Sequence, residues 1–200
     1  NNKLKILRNW VDTKESVGDD ERKEIFASVG RLEYQKNYEF LINEISNLDT
    51  PLIIYGNGSK KNKLIQLANQ LNINFEIVDR ISNDKLIFEL KNIKYFILPS
   101  YYEGNPKALL EAMSAGCIVF ASNIKNHSEI ITHGLNGYLF DIKDGCLNKE
   151  LVKVLNNSKL NNEELELVSK NAFKKINNDF SISKIAKDEH AIIQGLINGR

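Results

Sequence analysis

The chain has 200 residues, 42% of them hydrophobic and 26% charged, with a formal net charge of +1; this is ordinary globular composition, long enough for one sizeable core. Such a balance gives no field for nucleic acid or an anionic membrane face, and no apolar run approaches the ~18 residues of a membrane span. Cys117 and Cys146 lack metal-ligand spacing and fit a reducing, cytoplasmic setting, while an opening Asn1-Asn2 in place of Met leads us to expect a fragment, with any targeting on the missing part.

In chain order, residues 4–7 predict a short strand and residues 25–29 (IFASV) a strand ending at Gly30. Phe40, Leu41, Ile45 and Leu48 recur near helical spacing, so residues 38–48 predict an amphipathic helix. Residues 52–55 form a continuous apolar strand closed by Gly56-Asn57-Gly58, and Ser59 is a candidate N-cap for a helix over 60–71. A strand follows at 74–78, then a helix capped by Ser82 and running to about 91. Strands at 95–98 and 118–121 flank a helix at 106–115. A short helix at 128–131 precedes the turn Gly134-Leu135-Asn136-Gly137, and helices fill the chain from about 143 onward. Short apolar strands alternating with helices predict βαβ units. Right-handed crossovers then give an α/β, Rossmann-like doubly wound parallel sheet with helices on both faces.

The richest stretch is 95–140. Asn105 followed by Pro106 is a helix start, with Asn as cap and Pro in the first turn. The unpaired amides and dipole of such an end suit a phosphate, and residues 99–106 follow the carboxyl end of a strand, where ligands bind in open parallel sheets. Glu103 stands beside Gly104, which lets backbone approach a ligand closely. Glu111 is hemmed by Ala108, Leu109, Leu110, Ala112 and Met113, so it is part-buried and needs donors. Either a ligand's hydroxyls or an i,i+4 pair with Lys107 supplies them.

Positive charge is written mostly as Lys, which draws attention to Arg31 and Arg80, each just beyond an apolar strand. Gly30-Arg31-Leu32 is followed by Lys36-Asn37; Arg offers phosphate a planar fork and Lys a mobile point charge. Gly56-Asn57-Gly58 is not the dinucleotide fingerprint, because the third glycine falls at Lys61, so a plain βα turn and a ligand site both stay open. No metal-ligand spacing is visible. His127 and His133 flank the short helix near Glu129, where surface or capping roles are expected.

The Glu103-x7-Glu111 spacing with both flanking strands, joined to the GRLxxxKN run at 30–37, resembles the family-4 retaining glycosyltransferases of GT-B fold. Cys117-Ile118 stand where that family often has Pro, which touches the turn and not the site. The resemblance covers residues 1 to about 144 and implies an entry segment at 1–12, a donor-binding domain at 13–180 and a terminal helix at 181–200. It implies that Glu103 approaches the donor sugar, Glu111 holds the ribose, and Arg31 and Lys36 steady the departing diphosphate. Gly30, Gly56, Gly58, Arg80, Gly104, Asn105, Pro106, Lys107, Ala108, Leu109 and Leu110 complete the implied donor site. The implied partners are a UDP-sugar, or a GDP-sugar, and a glycan or lipid-linked acceptor held by a missing N-terminal domain. No metal or other cofactor is implied, and the full protein is expected in the cytoplasm or peripheral at the inner membrane face. The alternatives are a related GT-B enzyme, such as a sugar-nucleotide epimerase or a phosphorylase, and a module that binds without catalysis. A phosphorylase would need a cofactor lysine in a setting this sequence lacks.

Overall fold

The strands β1 (Lys23–Val29), β2 (Leu52–Tyr55), β3 (Phe75–Val78), β4 (Ile93–Leu98), β5 (Ile118–Ser122) and β6 (Tyr138–Phe140) form one parallel sheet in the order β3-β2-β1-β4-β5-β6. The computed structural model describes residues 10–11, 22–143, 145–156 and 162–198. Helices α1 (Tyr38–Ile45), α2 (Lys61–Gln70), α3 (Asn83–Lys91), α4 (Lys107–Ser114), α5 (Lys125–Ser128), α6 (Cys146–Asn156), α7 (Asn162–Phe180) and α8 (Ile182–Asn198) complete it, with a 3₁₀ turn at Tyr34–Lys36.

Side chains alternate across a strand, so each central strand feeds two cores. Phe26 packs under α1 and α2 with Leu41 and Leu64, while its neighbour Ala27 packs under α3 and α4 with Leu90 and Met113. Tyr95 and Ile97 follow Phe26; Phe96 and Leu98 follow Ala27. All are buried, which is why these strands are predominantly apolar on both faces. Helix α7 ties the layers together: Leu165 and Val168 join one core, Ala172 and Ile176 the other.

The doubly wound parallel sheet is the predicted one, and the structure amends its details. Strand β1 starts at Lys23 and β4 at Ile93, two residues earlier than expected in each case, because sheet pairing carries polar edge residues along. Helix α1 stops at Ile45. Ser82 caps α3, accepting from the Lys85 amide at 3.4 Å, but Ser59 does not cap α2; its amide and hydroxyl both donate to Glu33. The short helix lies at Lys125–Ser128, earlier than the expected 128–131, and β6 was not foreseen. The expected strand at 4–7 falls outside the described residues, as does most of the 1–12 segment.

Candidate functional site

Strand β1 pairs with both β2 and β4, and the strand order reverses between β1 and β4. A crevice must open beyond their carboxyl ends, where the flanking loops part. The β1 loop carries Gly30 to Lys36; the β4 loop carries residues 99–106. They meet at an ion pair: Lys36 Nζ lies 2.6 Å from Glu103 Oε1, with the side chains only 14% and 7% exposed. The same carboxylate oxygen accepts from Ser100 Oγ at 2.6 Å. Two further hydrogen bonds knit the loops beside it, one from the Tyr101 amide to the Gln35 carbonyl and one from the Gln35 side-chain Nε2 to the Tyr102 carbonyl.

The glycines explain how the loops come so close. A Cβ on Gly30 would sit 2.6 Å from Lys36 Cε, so Gly30 leaves the channel through which the Lys36 stem reaches Glu103. A Cβ on Gly56 would fall 1.9 Å from the Gly30 carbonyl oxygen, and one on Gly58 2.6 Å from the Leu32 oxygen. Gly56 and Gly58 therefore serve backbone-to-backbone packing of neighbouring loops. Arg31 is exposed, and no hydrogen bond or ion pair of its guanidinium is recorded among the described residues. Arg80 is likewise exposed beyond β3; its neighbour Asp79 holds Lys61 at 2.7 Å and Asn57 at 3.1 Å.

Helix α4 begins one residue later than predicted. Pro106 occupies the cap position, and Asn105 makes no side-chain cap bond. The Pro106 carbonyl accepts from the amides of both Leu109 and Leu110, at 3.0 and 3.2 Å, and these two side chains are fully buried. Leu109 and Leu110 thus offer a ligand neither side chain nor N–H, which corrects their place among the donor-binding residues; they are core. Lys107 donates its amide to the Asn105 carbonyl. The amides of Glu103, Gly104, Asn105 and Ala108 have no hydrogen-bond partner among the described residues, so this short arc of loop and helix start presents open donors of the kind that suit an anion. Gly104 is exposed with open space around it, and its carbonyl accepts from Asn126 Nδ2 at 2.7 Å.

Glu111 is buried, and its Oε1 has no hydrogen-bond partner. Lys107 stands 3.5 Å away with a half-exposed side chain, so the i,i+4 pair exists but is loose. Burial raises the carboxyl pKa above its ordinary value, only partly opposed by Lys107. The acid faces a cleft of about 440 Å³ between α3 and α4, lined also by Asn83, Asp84, Phe88 and Lys107 and bordered by Trp10. Glu103 does not line it. The two acids thus stand on different sides of the α4 start.

Sequence reasoning missed three buried polar groups beneath this site. His127 has no exposed surface, which corrects the expected surface or capping role. Its Nδ1 lies 2.9 Å from the Ser122 carbonyl, which can only accept, so Nδ1 carries the hydrogen and Nε2 is left buried without a donor. Ser122 Oγ donates to the Ser100 carbonyl at 2.6 Å, which connects His127 to the residue that holds Glu103. The Tyr38 hydroxyl, buried under Gly30, is also unpartnered, and burial and then the Glu103 charge push its pKa upward. No spacing in the sequence announces any of these; each is placed by strand ends meeting in space.

Burial lowers the His127 pKa below its ordinary 6.5, against the bond to Ser122. A histidine with a depressed folded pKa contributes stability that is full above its unfolded value and is lost as pH falls toward the folded one. Thermal midpoints are therefore expected to drop from about pH 7.5 to 5.5, and His127→Asn, which keeps a donor for Ser122, should flatten that slope. An equal slope in the variant would show that another group titrates.

The family profile described as "Glycosyl transferases group 1" matches residues 12–175. The chain is similar to an Escherichia coli UDP-Gal:alpha-D-GlcNAc-diphosphoundecaprenol alpha-1,3-galactosyltransferase, 30% identical over 193 residues, covering 88% of this chain and 47% of that protein. It is also similar to the capsular polysaccharide biosynthesis glycosyltransferase CapH of Staphylococcus aureus, 34% identical over 137 residues, 64% of this chain and 36% of that one. Among solved structures, S. aureus TarM in a complex with UDP superposes with a TM-score of 0.80 at 22% identity, over 93% of this chain and 38% of that one. Anabaena HepE, in complex with UDP and glucose, gives 0.76 at 17%, over 87% and 49%. At these identities the structural likeness shows the fold, the Rossmann-like sheet of GT-B glycosyltransferases. The chain spans roughly a third to a half of the length of these relatives.

Proposed function

The chain belongs to the glycosyl transferases of group 1, and on that premise we propose that it is the donor-binding domain of a retaining enzyme. The enzyme moves a hexose-type sugar from a nucleoside-diphosphate sugar, a UDP-sugar first, to a glycan or lipid-linked acceptor. The observation that carries this reading is the Lys36–Glu103 pair, which joins the two motifs predicted from sequence across 67 positions at the strand-order reversal. A diphosphate fits the arc of amides from Glu103 to Ala108, with Arg31 free to fork its oxygens and Lys36 holding hydrogens for both phosphate and Glu103. Ribose hydroxyls supply what Glu111 Oε1 lacks. In transfer, the bond from the anomeric carbon to the phosphate oxygen breaks and that oxygen keeps the electron pair. The acceptor oxygen bonds to the same face of the carbon, and its proton passes to the leaving phosphate. Fixed cations and amides stabilise the charge that develops there, so no metal is required.

The choice of uridine is supported by the UDP-Gal donor in the name of the E. coli relative and by the UDP held in both solved structures. Turnover is assigned to the complete protein, because this chain spans roughly a third to a half of the length of its relatives. Among the described residues no helix is long and apolar enough to cross a membrane.

The reading is tested by thermal denaturation of this chain with UDP, GDP, ADP and their sugars, with and without EDTA. A ligand at about 100 times its Kd contributes roughly 2.7 kcal/mol, or about 5–10 °C for a chain of this size. The shift should be largest for the uridine series, indifferent to EDTA, and cut sharply by Arg31→Ala, for a loss of about tenfold in affinity. If a cooperatively unfolding chain shows no shift with any of them, the donor-domain reading is overturned.

A further inference from the structure

On the face of the sheet covered by α1 and α2, across from the cleft at Glu111, a second hollow of about 270 Å³ opens between the 3₁₀ turn and the start of α2. Its walls include Glu33, Tyr34, Asn37, Glu39, Lys60 and Tyr101. Tyr34 is 64% exposed and stacks on Tyr101, with ring centroids 4.9 Å apart and an interplanar angle of 24°. Lys60 Nζ stands 5.5 Å from the Tyr34 ring centroid. One ring thus braces the other, leaving an aromatic wall that is held in place before any ligand arrives.

The charges around it cancel. Glu39 accepts from Lys60 at 2.7 Å and from Lys63 at 2.6 Å. Glu33 accepts from the Ser59 amide and hydroxyl at 2.9 and 2.8 Å. These bonds hold both carboxyl pKa values below the ordinary range, Glu33 through Ser59 and Glu39 through Lys60 and Lys63. Two carboxylates and two ammoniums leave no net field to draw an anion. They do leave fixed acceptors and donors around an aromatic face. At the floor, Asn37 is 7% exposed and its Nδ2 is buried with no acceptor. An unpaired buried donor is unfavourable, and the terminal torsion of Asn is soft enough to turn that nitrogen toward an oxygen in the hollow.

An apolar ring face flanked by hydroxyls is what such a site accepts, and that is the chemistry of a neutral pyranose. The volume lies just under the ~300–1,000 Å³ typical of drug-sized sites, so one ring fits rather than a chain. The hollow also adjoins the transfer centre: Lys36, between Tyr34 and Asn37, holds Glu103, which lies two residues beyond Tyr101.

We propose that this hollow is a saccharide subsite, taking a neutral sugar ring of the acceptor against Tyr34 with a ring oxygen or hydroxyl on Asn37. That the ring belongs to the acceptor rests on the transfer reaction proposed above; that a free pyranose binds here does not.

Free D-galactose and N-acetyl-D-galactosamine, titrated into this chain without nucleotide, should shift the backbone amide resonances of Tyr34, Asn37, Lys60 and Tyr101. Tyr34→Ala should weaken that binding about tenfold or more. Asn37 sits at φ 55°, the left-handed region, so Asn37→Gly keeps the backbone while removing the amide and should weaken binding about fivefold. Tyr102→Ala, on an exposed side chain outside the hollow, should change nothing. The proposal is overturned if neither sugar moves those resonances, if Tyr102→Ala loses as much as Tyr34→Ala, or if Asn37→Gly folds and binds as the parent does. It is also overturned if only the nucleotide-linked sugar moves them, because the hollow then belongs to the donor. UDP protection against heat is read separately, so failure here leaves the donor reading standing, and the converse holds.

Discussion

Replacing Lys36 with Met in the complete protein is expected to lower kcat by about 10²–10³, the usual consequence of removing one group that faces developing charge. The Lys36 side chain is only 14% exposed, so its charge acts at a lower effective dielectric than in water, and losing it is felt in the transition state more than in donor binding. The same change injures the fold. Glu103 is 7% exposed, and without Lys36 its recorded side-chain partner is Ser100. Orphaning one member of a buried ion pair costs about 3–5 kcal/mol. Lys36→Met alone therefore confounds the two effects, and the double variant Lys36→Met/Glu103→Gln separates them. A neutral amide at 103 still accepts from Ser100 and has no charge to strand, so the double variant should recover most of the lost thermal midpoint. Its turnover should stay at the level of the worse single variant. If activity returned with stability, Lys36 would be a structural ion-pair partner and the leaving-group role would fail.

Both members of this pair are legible in the sequence, and the reason shows where sequence carries information. Lys36 drew notice by its offset from Gly30 at a strand end, and Glu103 by its offset from a helix start. Both are local patterns, and the topology of parallel strands brings such ends together at the order reversal. The two-sided burial of the strands was legible for a similar reason, in uninterrupted apolar runs. What failed was of two kinds. Strand β6 is three residues long and leans on the edge of β5, so neither periodicity nor propensity had room to speak. Leu109 and Leu110 fall with the donor site in a reading of sequence because they lie inside the motif. A helix turns 100° per residue, however, and the same motif that presents Lys107 outward sends those two leucines into the core. His127 was unreadable in principle. Its neighbours in sequence are polar and its neighbours in space are the ends of β4 and β5, so only the assembled sheet buries it.

Glu111→Gln is expected to separate stability from binding in opposite directions. The acid is buried, one oxygen has no partner, and Lys107 at 3.5 Å is too exposed to compensate fully. A carboxyl whose folded pKa is raised favours the protonated form. Its contribution to stability is present below the unfolded value near 4.5 and is lost as pH rises through the folded one. In the empty protein, ionising this carboxyl is thus unfavourable. Glutamine of the same shape removes the charge, so the variant should melt a few degrees higher, consistent with a gain of about 1 kcal/mol, and should lose less stability between about pH 5 and 8. Donor affinity should move the other way. Hydrogen bonds from hydroxyls to a carboxylate contribute about 1.5–3 kcal/mol, so UDP should bind the variant about 10–100-fold more weakly. The opposite pH trend expected from His127 does not blur this, because each slope is removed by its own substitution. A variant that melted lower and bound UDP as tightly as the parent would make Glu111 an ordinary member of an ion pair with Lys107. The raised midpoint with weakened binding is the pattern of a group kept unsatisfied in the empty protein so that a ligand's hydroxyls complete it.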